Sequence, residues 1–193
     1  IFSPLINYNF SSDEYHKYGY DETILYPDWY IFKSNKSFVL NLDKSKDIIF
    51  KNIRKGHKSN IRQTQKKAKL VLLDQDSYNN ELFDLYISSY YRVKGNRRSI
   101  EAFNLDALAI KCGQQFIVIC EIDGELIGAI AFHIYNYKAR YNSSFQLYNR
   151  TKGTYPNHFL LWSGIEYLID KGYSFLEIGE QVVSSHNSSI SLK

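Results

Sequence analysis

The sequence predicts an α/β (α+β) fold: helices packed on a mixed, mostly antiparallel sheet. Three observations lead there. Gln115–Ile122, Glu125–Tyr135 and Tyr137–Leu147 read as consecutive strands; Asp123-Gly124, the strongest hairpin signal in the chain, joins the first two, and Asn136 links the second to the third. A basic turn, Tyr148–Pro156, then feeds a helix, Asn157–Lys171, closed by Gly172 and followed by a strand, Ser174–Ile178. Two capped helical segments precede the strands. From Leu70 the order is therefore strand, helix, helix, three strands, basic loop, helix, strand.

Taken in order, residues 1–30 are aromatic and without period. Trp29–Leu42 alternates enough for a strand. Asp43 or Ser45 can cap a helix starting near Lys46, with Ile49, Phe50, Ile53 and Ile61 near one face and Gly56 weakening it midway. Lys69–Asp74 reads as a strand. Asn79 or Asn80 caps a helix to Val93 with Leu82, Phe83, Tyr86, Ile87 and Tyr90 inward, and Gly95 ends it. Ser99 caps Ile100–Cys112, ended by Gly113. The one plausible boundary lies near residues 69–77. It divides an N-terminal segment, 1–69, from a domain at 70–193.

Between Lys51 and Lys69 the chain carries Lys51, Arg54, Lys55, Lys58, Arg62, Lys66, Lys67 and Lys69, with His57 and no acid. This is either a solvated helix face or a surface for phosphate: a nucleotide, a pyrophosphate lipid or RNA. Lys58, Arg62 and Lys66 are its candidate phosphate or acceptor contacts. Arg92, Lys94, Arg97 and Arg98 make a second basic patch. Net charge is only +4, so the local pattern says more than the total.

Aromatics reach 16%, including 17 Tyr, which favours strands and stacking. Two cysteines, Cys112 and Cys120, cannot build a disulfide framework, and Cys120 reads as a small buried hydrophobe. With no signal peptide and no bilayer-length apolar run, the expected compartment is cytoplasmic, including the inner face of the membrane. The chain starts at Ile1 and has no Met, which points to a piece of a longer product. The abundance of Lys, Asn, Ile and Tyr is compatible with a bacterium of AT-rich genome. There is no P-loop, no G-x-G-x-x-G and no G-x-S-x-G. The five His show no paired metal-ligand spacing, so no metal site is expected.

The element order from Leu70 resembles the GNAT acyltransferase fold, in which the loop before the third helix holds the pyrophosphate of acyl-CoA. Of the spaced glycines usual in that loop, Gly153 alone is present here. Four segments are similar to the Fem-type branch, the peptidoglycan-bridge aminoacyltransferases and their relatives in envelope-glycan gene clusters: "KNIRKGHKSNIRQTQKKAKLVLL", "LFDLYISSYYRVKG", "GELIGAIAFHIYNYKARYNSSF" and "YPNHFLLWSGIEYLIDKGYSFLEIGE". The resemblance covers residues 46–193. It implies transfer of an acyl or aminoacyl group to an amine. The donor would be acyl-CoA or aminoacyl-tRNA as co-substrate, with no bound cofactor. The acceptor would be a peptidoglycan peptide or an aminosugar of a surface polysaccharide, carried on a nucleotide or lipid. Residues 1–69 are too short for the second lobe of a full Fem-type enzyme.

Amine acylation needs a neutral amine, a held donor and a stabilised oxyanion. A basic turn running into a helix N-terminus suits donor phosphates, because free N–H groups and the positive dipole end point outward there. Arg150, Lys152, Gly153, Asn157 and His158 are the candidates. His133 and Tyr141 are the strand-borne candidates for moving protons, although such residues are more often structural groups. Glu180, just past the last strand, is the candidate carboxylate that orients or deprotonates the acceptor amine. Trp162 reads as core. The competing class is a non-catalytic RNA- or phosphate-binding module built on helix 51–69.

Overall fold

The computed structural model describes residues 35–147 and 153–182. Residues 39–177 form one compact unit. A six-stranded sheet runs in the order β1-β6-β5-β4-β3-β2. Its strands are β1 (Asn35–Asn41), β2 (Lys69–Leu73), β3 (Gln115–Ile122), β4 (Glu125–Tyr135), β5 (Lys138–Gln146) and β6 (Phe175–Val182). Among the described residues five helices accompany it: α1 (Lys46–Asn52), α2 (Lys55–Gln65), α3 (Asn80–Lys94), α4 (Ile100–Lys111) and α5 (Pro156–Asp170). All pairings from β2 to β5 are antiparallel, and β5 pairs with β6 in parallel.

The local signals act where the sequence puts them. Asp123 and Gly124 take φ of 52° and 78°, so both central residues of the β3–β4 turn have the positive φ that a tight hairpin requires. Asn79 Oδ1 accepts from Leu82 N at 2.9 Å and Ser99 Oγ from Ala102 N at 3.3 Å, capping α3 and α4. Two expectations need correction. The helix from Lys46 is two helices, and the break falls at Ile53–Arg54, both extended at ψ near 140°, rather than at Gly56. Lys51, Arg54, Lys55 and Lys58 would repel at helical spacing. The break takes Lys51 out of helical register with the other three, and Lys58 Nζ donates to the last-turn carbonyl of Lys51 at 3.0 Å. Likewise β6 continues to Val182, so Glu180 lies within the strand and not beyond it.

Two cores sandwich the sheet. On one face α3 and α4 bring Phe83, Tyr86, Tyr90, Phe103 and Ile110 against Ile117, Ile119, Ala129, Ala131 and Phe145. On the other, α5 lies over β3 and β4. There Phe116 and Phe132 stack at 4.8 Å with an 8° tilt, and Tyr167 sits 4.4 Å from Phe116. Gly164 is what lets the helix come so close, since a Cβ there would stand 2.4 Å from Phe132 Cζ. Trp162 is buried against Phe50 of α1, as a core residue.

A buried carboxylate ties β2 to α5. Asp74 accepts from Ser77 N and Oγ and from Tyr167 Oη at 2.9 Å. Burial pushes its pKa up, but those hydrogen bonds and the Lys171 charge outweigh burial and hold it below 3.8. Its stabilising share is thus complete above the unfolded pKa and disappears as pH falls through the lower folded value. Asp74→Asn is expected to lose about 1.5–3 kcal/mol at neutral pH, and the gap to wild type should close in acid. Urea melts at several pH values read this directly.

Candidate functional site

The β5–β6 pairing covers three residue pairs, Lys138–Arg140 with Phe175–Glu177. From Tyr141 to Gln146, β5 keeps its partner β4 but has no strand on the β6 side among the described residues. A strand that parts from its neighbour in this way leaves backbone N–H and C=O groups available to a ligand. At its start sits a bulge: Ala131 pairs with Ser143 and Phe132 with Tyr141, leaving Asn142 as the extra residue.

The bulge separates two side chains that the sequence suggests as proton carriers. Tyr141 faces the α5 side, edge-on to Phe132, with its hydroxyl donating to Ser144 Oγ at 2.5 Å. His133 lies on the α3/α4 face, its Nε2 3.1 Å from Asn142 Nδ2. They are therefore on opposite faces of the sheet, and the structure does not bring them together. Burial lowers the His133 pKa; Arg140 and Arg98 lower it further, while Asp106 works the other way. Its neutral form is thus favoured, with Nε2 facing the Asn142 side-chain amide. Arg98 and Asp106 form a 2.8 Å ion pair, with Arg98 also over the Phe103 ring.

Downstream of the edge, Gly153 takes φ +69°, and α5 opens on Pro156 at its first position. Tyr155 at the cap offers no side-chain acceptor to the first turn. Helix α2 packs on this N-terminus and brings two of the candidate sets together. His57 Nδ1 is 2.8 Å from His158 Nε2, with the rings 4.6 Å apart. Buried Thr64 accepts from Tyr155 N at 2.7 Å and donates to Asn60 O at 3.0 Å. A side chain at Gly153 would begin 3.7 Å from Gln63 Nε2 and 3.9 Å from Lys67 Nζ. Burial and then the neighbouring His57 lower the His158 pKa, so protonation is resisted where the helix dipole is positive.

Of the basic candidates, Lys66 is exposed at the α2 C-cap and Arg62 lies over the Phe50 ring at 5.4 Å. Lys58 is turned to the α1 carbonyl described above. Asn157 is exposed in the first turn of α5. Arg150 and Lys152 lie outside the described residues, as does the side chain of Glu180. Cys120 is buried and its thiol is pushed up to about 12, which leaves it inert as a nucleophile. Among the described residues no three His, Cys, Asp or Glu side chains gather as a metal site, and no helix is long and apolar enough to cross a membrane. Sequence reasoning missed Thr64, Gln63, Asn142 and the Arg98–Asp106 pair. A polar stripe, His57, Asn60, Thr64, Lys67, repeats at helical spacing and was the available signal for α2.

The solved structure of FemX matches with a TM-score of 0.60 at 10% identity, over 79% of this chain and 55% of FemX. The chain has a FemX-like GNAT fold. L-PGS from Bacillus licheniformis matches at 0.57 and 14% identity, over 91% of this chain and 51% of its own. The C-terminal domain of a protein described as a lysylphosphatidylglycerol synthetase, from Agrobacterium fabrum, matches at 0.52 and 13%, over 77% and 47%. The chain thus spans about half the length of these solved structures. Neither a protein-family model nor a curated protein sequence matches it. In this GNAT-like frame β5 is the strand that borders the opening, and α5 is the helix whose N-terminus receives the loop that follows it.

Proposed function

We propose that the chain is an N-acyltransferase. It moves an acyl or aminoacyl group from acyl-CoA or aminoacyl-tRNA to an amine of a cell-envelope precursor, either a peptidoglycan peptide or an aminosugar of a surface polysaccharide. The observation that carries this reading is the open edge of β5, which begins at the Asn142 bulge beside a histidine whose neutral form is favoured and leads to the α5 N-terminus.

In this reading the donor lies along Tyr141–Gln146, its phosphates at Gly153, Asn157 and His158 with Arg150 and Lys152. The amine nitrogen attacks the acyl carbon while its proton passes to His133, and edge N–H groups meet the developing oxyanion. The C–S bond of the thioester, or the C–O bond of the aminoacyl ester, then breaks. Tyr141, on the other face, is the candidate to return a proton to the leaving group, and Glu180 the candidate to orient the acceptor.

The exposed cations of α2 support the second class, an RNA- or phosphate-binding module. Lys55, Arg62, Lys66 and Lys67 make no ion pair among the described residues. The same surface also suits the phosphates of an aminoacyl-tRNA donor. An Arg150→Ala/Lys152→Ala double variant separates the two. Donor affinity should fall at least tenfold with nonspecific RNA binding retained. Full donor affinity in that variant would remove the donor from this loop, and uniform loss of RNA affinity on changing Lys58, Arg62 and Lys66, without turnover, would favour the binding module.

A further inference from the structure

Where α2 meets the first turn of α5, His57 Nδ1 stands 2.8 Å from His158 Nε2. An imidazole nitrogen donates when it carries a proton and accepts when it does not. This contact therefore holds one proton. With both rings neutral, the N–H of one donates to the lone pair of the other. One added proton keeps the contact, now imidazolium to imidazole and strengthened by charge. A second added proton sets N–H against N–H and cation against cation, and the contact opens. The surroundings favour that opening. The last turn of α1 brings Lys51, and α2 with its flanks brings Arg54, Lys55, Lys58 and Lys67, while the first turns of α2 and α5 hold no acid. Tyr155, a neutral titratable neighbour, places its ring 6.2 Å from that of His158. Burial and then His57 lower the His158 pKa, and no acid acts on it among the described residues.

α2 holds the same turn a second way. Buried Thr64 accepts from Tyr155 N at 2.7 Å, and Tyr155 itself offers no capping side chain. His57 is exposed and His158 half-buried, so solvent and ligand reach the pair. We propose that His57 is a positioning residue of the donor site: it fixes the His158 ring, and with it the first turn of α5, in every state of the pair except the doubly protonated one. The proposal rests on the N-acyltransferase reading and adds to it a donor site limited by protons. In the neutral and singly protonated states the ring stays where α2 puts it, and the single added proton brings positive charge to the donor phosphates. The second proton parts the rings and releases the α5 N-terminus from α2. Donor affinity should thus rise as the first proton binds and fall as the second does. Asparagine at position 57 would remove the fall. Its carboxamide stands near the place of Nδ1 and both donates and accepts, so it meets His158 in either protonation state.

The test is a pH series from about pH 8 to about pH 4, which spans the imidazole range. Nitrogen-edited NMR of the histidine rings follows the pair, and calorimetric titration with acetyl-CoA and with aminoacyl-tRNA follows the donor, on wild type and on His57→Asn. In wild type a coupling across the hydrogen bond should join His57 Nδ1 to His158 Nε2 and vanish at the second proton step. Donor affinity should pass through a maximum and fall at least tenfold at the acid end. His57→Asn should bind donor at neutral pH and lack the fall; carboxylates that titrate near the acid end do so equally in both chains. Two rings that titrate independently, or the same acid fall in His57→Asn, would overturn the proposal while leaving the transferase reading intact. No binding of either donor to wild type at any pH would overturn that reading and the proposal with it.

Discussion

Gly164→Ala is expected to destabilise the chain by about 2 kcal/mol, although alanine is the better helix former. Propensity alone would give the variant about 1 kcal/mol of added stability in a helix such as α5. The contact reverses the sign. The new Cβ would stand 2.4 Å from Phe132 Cζ and 2.5 Å from Cε2. Phe132 cannot turn away: it is fully buried, stacked on Phe116, and met edge-on by Tyr141. The helix would have to lift from the sheet instead, and α5 carries the loop and N-terminus of the candidate donor site. Gly56→Ala is the control, since nothing lies within 4 Å of a Cβ there. It should be neutral or stabilising by up to about 1 kcal/mol. Paired denaturant melts check both, and a Gly164→Ala chain more stable than wild type would contradict the close α5–β4 packing.

His133→Gln should lower kcat by about 10²–10⁴ while leaving donor affinity unchanged, because the glutamine keeps a polar partner for Asn142 but accepts no proton. The wild-type pH profile carries a sign as well. A general base works only when neutral, and burial together with Arg140 and Arg98 holds His133 below 6.5. Wild-type kcat should therefore fall only on acidification below that value, and the limb should be missing in the variant. A variant that keeps wild-type kcat would leave His133 a structural partner of Asn142 and nothing more.

Much of the fold is legible because local rules and tertiary packing agree. The Asp123-Gly124 turn, the Asn79 and Ser99 caps and the alternation of β3 to β5 each specify their element within a few residues. The exceptions have tertiary causes. The break at Ile53–Arg54 depends on charge spacing and on Lys58 reaching back to Lys51, which no propensity scale carries. Asn142 is an ordinary strand residue until register makes it a bulge, and only then do Tyr141 and His133 part to opposite faces. The anion-type turn before α5 is legible from Gly153 and the basic residues around it. That α2 is its neighbour is not, because His57 and His158 are 101 positions apart and Thr64 and Tyr155 are 91.

The most direct measurement is thermal stability of the chain with excess acetyl-CoA, desulfo-CoA or bulk aminoacyl-tRNA. A ligand at 100 times its dissociation constant adds about 2.7 kcal/mol to the folded state, which for a chain of this size raises Tm by several degrees. The expected result is a shift with one donor class that the Arg150→Ala/Lys152→Ala variant loses. A shift with the CoA ligands alone would identify a CoA-dependent transferase; one with aminoacyl-tRNA alone, bridge-type chemistry. No shift with any of them would contradict a donor site along the open edge of β5.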